Sequence, residues 1–472
     1  MQNRHIQYSP RHILYWHRNM SPGTQHMRYL YWRFIVLGIA TLMAWNVYIV
    51  SSDYFRYVFR NTPLRDNFES IFSVLSNSCN LAALSYALYT QPKANHDRRI
   101  KNGIWITVCA FVLISMLPAA GAEGWVAVTL SLVGLVAAAV AAAYIQCSVY
   151  GIVALLPSSC AEGFMSGQAI AGTVASAAQL VSVYWSKDSV KGGDDKSLVD
   201  YTAASALADD IGDVQLRIRT AVYFYLSAVF LALSIIVWKQ LNDYLAMPRM
   251  SPSGAYEALQ LPLISHTNDI EDDGQQTPTL VDGPPLPAWI SKLGLTNGHH
   301  LYTTYSEISP YVHISIITMT QTLAVFPPLT EAIVSSPNSL PQIAHLNAWH
   351  FLLFNIGDYL GRLCTQWVTC SRPRVLHWVN GLRTLFIPVF LLFPTVVTLP
   401  GSLTIHSDLL FLLLVLAMGW TNGWVATSAL ILGPCQASDK GLAGSILGFA
   451  LCVGLVIGAV ASYPILLLAG IS

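Results

Sequence analysis

Charge is what this sequence has least of. Only 11% of its 472 residues are Asp, Glu, Lys or Arg, against roughly 25% in a soluble domain. Hydrophobic residues make up 54%, and the mean hydropathy is +0.49. Such a chain is a polytopic membrane protein. Basic and acidic residues balance at 25 each, so no charge excess points to a nucleic acid polymer as partner. Motifs that carry chemistry are missing as well. There is no Walker A loop for ATP, no His-x-x-Glu-His and no Gly-x-Ser-x-Gly, and the histidines are scattered. An intramembrane enzyme would need a nucleophile with a base, or a metal cluster. The chain is therefore not read as an enzyme, and no cofactor is expected. The eight cysteines fall in or beside apolar runs without metal-ligand spacing, which fits small apolar side chains rather than a disulfide framework. The first 33 residues hold five Arg and four His and run straight into an apolar stretch, unlike a cleavable signal peptide.

What is present is a series of apolar runs long enough to cross a bilayer, which takes about 20 residues. Eleven are expected, at 33–52, 68–90, 103–121, 125–155, 163–185, 219–238, 311–334, 343–368, 378–399, 409–432 and 441–469. Trp32, Trp125, Trp185, Trp238, Trp367 and Trp378 stand at run ends, where aromatic belts belong. With the N-terminus in the cytosol, the cytosolic segments carry 15 Lys and Arg and the opposite side carries 8, leaving Arg362 and Arg383 inside spans. That bias places the N-terminus inside and the C-terminus outside. The expected organisation is a cytosolic tail (1–32), a bundle of six spans (33–238) with a solvated outer loop (187–218), a flexible cytosolic linker (239–310) and a bundle of five spans (311–472). The stretch 241–300 is rich in Pro, Ser, Asp and Gly and cannot bury much apolar surface.

Polar groups inside the runs are few. They are Trp45-Asn46, Asn77, Asn80, Gln146, His350, Asn355, Asp358, Arg362 and Arg383, with Glu331 near an outer end. Asp358 and Arg362 are four residues apart and share a helix face with Asn355. Each charge costs about 2.5–3.5 kcal/mol at mid-membrane on insertion scales, so the pair either staples the bundle or meets something that crosses. Asn77, Asn80 and Gln146 taken singly fit ordinary interhelical bonds, and His350 fits a packed core histidine. Arg383 fits either snorkelling to the interface or an approach to Asp358. As a set, amides, a carboxylate, a guanidinium and an aromatic face suit a polar, hydroxylated, ring-containing solute. Small residues recur every four positions at Gly167, Ala171 and Ala175, beside Gly172, and again at Gly444/Gly448 and Gly454/Gly458, a signature of close helix contact. Pro157, Pro327-Pro328, Pro388 and Pro394 interrupt the runs.

At this point the chain resembles the equilibrative nucleoside transporter family. The residues are Leu37–Asn46 followed by Asp53-Tyr54-Phe55; Gln146; Met165–Gly172; and Val325-Phe326-Pro327. They continue with Phe354-Asn355, Asp358, Gly361 and Arg362; Arg383 with Ile387-Pro388; Thr421–Trp424; and Gly433-Pro434. Their order and spacing over eleven spans, split six plus five, carry the resemblance. It implies an all-α polytopic membrane protein whose two bundles surround a central cavity, similar to the major facilitator fold, and transport of nucleosides or nucleobases. By position, Trp45 would line the cavity, Gln146 would contact the base, Asp358 and Arg362 would address the ribose, and Phe351 and Asn355 would line that wall. Gly167 and Gly172 match glycines important for packing and transport, Arg383 matches the ninth span, and Asn77 replaces a position apolar in some relatives. Ala44 departs from the family's usual Pro before Trp-Asn, which puts the bend of the first helix in question.

Alternating access without ATP is the implied mechanism, as facilitated diffusion, with protons open as a second partner beside membrane lipids. Asp358 would be the proton carrier, although its pairing with Arg362 would favour the ionised form. The alternative carrier is a sugar transporter of the wider facilitator superfamily. Asp358–Arg362 partly mimics that superfamily's acidic-x-x-Gly-basic loop, but apolar sequence continues on both sides. The plasma membrane and a vacuolar, lysosome-like membrane are both open.

Overall fold

A computed structural model of the chain describes residues 22–64, 68–121, 124–188, 201–246, 249–250, 256–257, 298–335, 339, 342–368, 372–395 and 404–470. The tail before Pro22 and the greater part of the expected linker lie outside them. The described residues are helical in each of the eleven expected runs. We number them α1 (Pro22–Val50), α2 (Phe68–Tyr89), α3 (His96–Ala119), α4 (Gly124–Ala154), α5 (Ser158–Asp188), α6 (Tyr201–Ala246), α7 (Gly298–Val325), α8 (Leu346–Cys364), α9 (Pro373–Arg383), α10 (Asp408–Leu432) and α11 (Lys440–Leu468). Eight of the described helices are long and apolar enough to cross a membrane by length and composition; α5, α8 and α9 are not among them.

Local chemistry explains the boundaries. Asn95, Ser407 and Asp439 cap α3, α10 and α11 by accepting from the backbone N–H groups of Arg98, Leu410 and Leu442. Helix α7 stops at Val325 because Pro327 and Pro328 follow, and a single turn resumes at Pro328–Glu331. The ninth run is two pieces, α9 and Phe386–Phe390. Pro388 has no N–H to give the Thr384 carbonyl, so the ladder breaks at Thr384–Leu385. The Gln321 amide of α7 reinforces the break, donating to the Asn380 carbonyl at 2.8 Å and to Thr384 Oγ1 at 2.7 Å.

Three expectations need correction. The outer loop is shorter than 187–218, because α6 already begins at Tyr201. Its first turns hold Ala203, Ala204, Leu207 and Ala208, good helix formers whatever their acidic neighbours. At 46 residues α6 runs about 69 Å, far more than a bilayer core, so its polar start projects beyond the apolar slab. The linker is also shorter at both ends, since α6 continues to Ala246 and α7 starts at Gly298. Trp238 belongs to no belt: it is fully buried and donates from Nε1 to Asp97 Oδ1 at 2.9 Å. Trp32, Trp125, Trp367 and Trp378 are exposed, as belt residues must be.

Helices α1–α6 pack into one bundle and α7–α11 into another. Two seams join them: α5 lies along α8, and α2 and α4 lie along α11. In the first bundle, Tyr48, Phe55, Phe59, Phe68, Phe72, Phe111 and Phe224 form an interlocked ring cluster around the short helix Ser52–Val58. In the second, Phe326 stacks on Phe354, and Phe390, Phe393 and Phe411 complete the cluster. In lipid such packing stabilises by contact rather than by the hydrophobic effect.

Candidate functional site

Between the bundles lies a cavity of about 290 Å³, at the small end of ligand cavities. Helices α1, α2, α4 and α11 wall it, with Leu323 and Pro327 from the end of α7. Three expected site residues meet here: Trp45, Asn77 and Gln146. Thr41, Tyr48, Ser73, Ser76, Asn80 and Cys452 add polar atoms, while Leu42, Ala138, Leu455 and others make the wall apolar. Asn77 Nδ2 donates to Ser73 Oγ at 3.3 Å. Asn80 was legible as an intramembrane amide; Cys452 carried no signal that set it apart from the other apolar-run cysteines.

The cavity is shut at the end where α2 and α4 finish and α11 begins. A Cβ at Gly444 would overlap the Tyr150 carbonyl, and one at Gly448 would enter the Tyr150 ring. Gln91 Nε2 donates to Ser445 Oγ at 2.9 Å, and Ser445 Oγ donates to the Cys147 carbonyl at 3.0 Å. Small residues bring the two bundles into backbone contact at that end.

Asp358 and Arg362 lie elsewhere. All but Ala348 of the buried residues of α8 (Leu346, His350, Phe354, Gly357, Asp358, Gly361, Arg362) recur at helical spacing and form one face. That face packs on α10 so closely that a Cβ at Gly357, Gly361, Gly419 or Gly423 would overlap the facing backbone. Asp358 accepts from Arg362 Nε and Nη2 on Oδ2, both at 2.8 Å, and from Asn422 Nδ2 on Oδ1 at 2.8 Å. Thr322 Oγ1 donates to Asn422 Oδ1 at 2.7 Å, and Arg383 Nη2 donates to Thr322 Oγ1 at 2.7 Å. Arg383 also donates to Thr421 Oγ1 at 2.7 Å and the Met418 carbonyl at 3.2 Å. At 2% exposure Arg383 does not snorkel. It reaches Asp358 only through Thr322 and Asn422. Asn422 joins the charges, yet its amide draws notice in the sequence only through the resemblance.

Arg362 also reaches across the bundle boundary, where Nη1 donates to the Met165 carbonyl of α5 at 2.7 Å and lies 3.6 Å from its Sδ. Asn355 crosses the same boundary, donating to Ser176 Oγ at 2.9 Å and to its own helix at the Phe351 carbonyl. Nearer the α8 start, Trp349 Nε1 donates to the Tyr184 hydroxyl at 3.3 Å. The α5–α8 seam is thus tied along the length of α8. Phe351 is half-buried against Phe326 and His350 rather than on the cavity wall. His350 is buried in that ring cluster.

The two expected packing glycines do different things. A Cβ at Gly167 would overlap the Ile35 carbonyl of α1, inside the first bundle, whereas one at Gly172 would overlap Asn355 Oδ1, at the seam. Gly172→Ala is expected to displace the Asn355 amide from Ser176, lowering uptake severalfold with near-normal yield of folded protein. Uptake beside detergent-solubilised yield checks this, and a collapse in yield would group Gly172 with Gly167 instead.

The family model described as "Nucleoside transporter" matches residues 132–467. Equilibrative nucleoside transporter 1 of Homo sapiens is 24% identical over 484 residues, covering 91% of this chain and 95% of that protein. Equilibrative nucleoside transporter 2 of Mus musculus is 26% identical, with 91% and 95% covered. Nucleoside transporter FUN26 of Saccharomyces cerevisiae is 22% identical, with 92% and 83% covered. Among solved structures, XylE, described as a major facilitator superfamily proton:xylose symporter, matches with a TM-score of 0.52 at 10% identity, covering 94% of this chain and 89% of that one. A double-tryptophan mutant of XylE gives 0.53 over 93% and 87%. These matches at low identity establish the fold.

Proposed function

Because the chain belongs to the equilibrative nucleoside transporter family, a family of multi-pass membrane carriers and not of enzymes, we propose that the inter-bundle cavity is the path its nucleosides take and that they cross by alternating access. The observation that carries this reading is a cavity walled by both bundles and closed by tight helix contact where α2 and α4 finish and α11 begins. A midplane site closed on one side is what a rocking carrier presents. The Lys and Arg bias assigns the shut end to the cytosol, with the N-terminus inside and the C-terminus outside. The six-plus-five division and the cytosolic linker between the bundles follow from the same reading.

Trp45 offers a face on which a base stacks, while Asn77 and Gln146 offer amides to its edge. Asp358 and Arg362 address the ribose once the α5–α8 seam rearranges, with Phe351 and Asn355 on that wall. Gly167 and Gly172 keep α5 close to its neighbours, and Arg383 holds α9 to α7 and α10. Transport is facilitated diffusion. Both Asp358 carboxylate oxygens already accept hydrogen bonds, so a coupling proton would have to displace a donor. Nucleobases are substrates to the extent that stacking and base-edge contacts suffice without a sugar.

Radiolabelled adenosine, uridine and uracil uptake into proteoliposomes, with and without a pH gradient, tests this. The expected result is adenosine and uridine equilibrating to equal internal and external concentrations at a level the gradient does not change. Accumulation above equilibrium under an inward proton gradient would overturn facilitated diffusion, and absence of nucleoside uptake would overturn the path.

A further inference from the structure

Three helices from both bundles meet at one sulfur on the cavity wall. Cys452 lies on α11, Asn80 on α2 and Gln146 on α4, and all three line the cavity. Asn80 has one orientation, because its Nδ2 donates to the Ala139 carbonyl at 3.0 Å. Turning the amide over would set oxygen against oxygen. Its Oδ1 therefore faces Cys452 Sγ, 3.5 Å away, and accepts from the thiol. Gln146 Oε1 lies 4.0 Å from the same sulfur. A thiol rotates freely about its Cβ–Sγ bond, so its one proton serves either oxygen. Gln146 is only 8% exposed, and its Nε2 makes no hydrogen bond among the described residues. An amide N–H₂ with no partner among the described residues, on the wall of a cavity, is a donor waiting for an acceptor.

We propose that Cys452 is a positioning residue for base selection: by holding the Gln146 carboxamide oxygen, it turns the Gln146 N–H₂ toward the bound base and favours bases that present a carbonyl at that edge. Uracil and hypoxanthine carry a carbonyl where cytosine and adenine carry an amino group, which would meet the Gln146 donor with a donor of its own. Uridine and inosine are therefore preferred over cytidine and adenosine. The thiol comes from the second bundle and the two amide oxygens within its reach from the first, so this part of the site is complete only while the bundles are together on that side. The inference rests on the nucleoside reading given above.

The test compares wild type, Cys452→Ala and Cys452→Ser in proteoliposomes, with inosine, adenosine, uridine and cytidine as substrates. In wild type, kcat/KM for inosine exceeds that for adenosine. In Cys452→Ala the Gln146 amide is released, and the inosine-to-adenosine ratio falls about fivefold, the effect of one net hydrogen bond. The change comes through KM, with kcat little altered. Cys452→Ser keeps a rotating donor at the same place and restores most of the ratio. An equal ratio in wild type and Cys452→Ala overturns the proposal, as does a Cys452→Ser variant that behaves like the alanine variant. Failure of wild type to take up any nucleoside would instead overturn the transport reading itself, so the two failures are distinct.

Discussion

Asp358→Ala is expected to abolish uptake and to destabilise the protein by about 3–5 kcal/mol, the effect of breaking a buried ion pair by removing one partner. The side chain is 5% exposed and Arg362 is 8% exposed, so water cannot replace what is lost. Removing the carboxylate strands two Arg362 nitrogens and the Asn422 amide at once. The chain from Asp358 through Asn422 and Thr322 to Arg383 is then cut at its first link, and the Thr322 hydroxyl falls back on the Thr318 carbonyl at 2.8 Å. The double variant Asp358→Ala/Arg362→Ala should be less destabilised than the single changes predict by addition, because neither charge is left alone. Asp358→Asn separates the two roles. It keeps an oxygen for one donor and much of the packing, so folded yield survives, but the charge proposed to address a ribose is gone. Thermal stability in detergent reads the first role and uridine or adenosine uptake the second. Unchanged uptake in Asp358→Asn would sink the proposed substrate role.

Gly361→Val should prevent recovery of a folded protein. A Cβ there would overlap the Trp420 carbonyl oxygen and crowd the Trp424 backbone nitrogen. These are backbone atoms of a neighbouring helix, so no rotamer change relieves the overlap and α8 must move away from α10. Overpacking costs about 1–3 kcal/mol. The displacement also pulls Asp358 from Asn422, a hydrogen bond to a charged group that contributes about 1.5–3 kcal/mol. Loss of a monodisperse peak on size-exclusion chromatography is the expected readout. Gly381→Ala is the control. A Cβ at Gly381 meets nothing within 4 Å, and α9 gains helix propensity of about 1 kcal/mol. Equal behaviour of the two variants would show that the α8–α10 approach is not limiting.

The fold was largely legible because membrane insertion makes length and apolarity nearly sufficient. All eleven runs are helical among the described residues, down to the interruption of the ninth. The misreadings share a cause. Trp238 and the start of α6 were judged by composition alone, which is blind to a partner such as Asp97 and to helix continuing past the bilayer. The expected site residues do not all converge. Trp45, Asn77 and Gln146 meet on one cavity, but Asp358, Arg362 and Asn355 occupy the α5–α8 seam and the α8–α10 interface. One acceptor for Arg362 is a main-chain carbonyl, at Met165, and residue type does not announce such a group. Cys452 escaped notice for a related reason: a thiol in an apolar run reads as a small hydrophobe until its neighbours are known.

The glycine-lined contact between α8 and α10 bears on how the protein is made. Alone, α8 is a poor membrane segment: 19 residues carrying Asp358, Arg362 and the ring nitrogens of His350, and not among the helices apolar enough to span unaided. The amide that satisfies Asp358 belongs to Asn422, synthesised 64 residues later. Arg362 finds its carbonyl on α5, made 197 residues earlier. During translation α8 therefore emerges after its partner on α5 has been made and before Asn422 has. Satisfying its charges in the bilayer waits for α10, which couples the integration of these two helices rather than leaving them independent insertions.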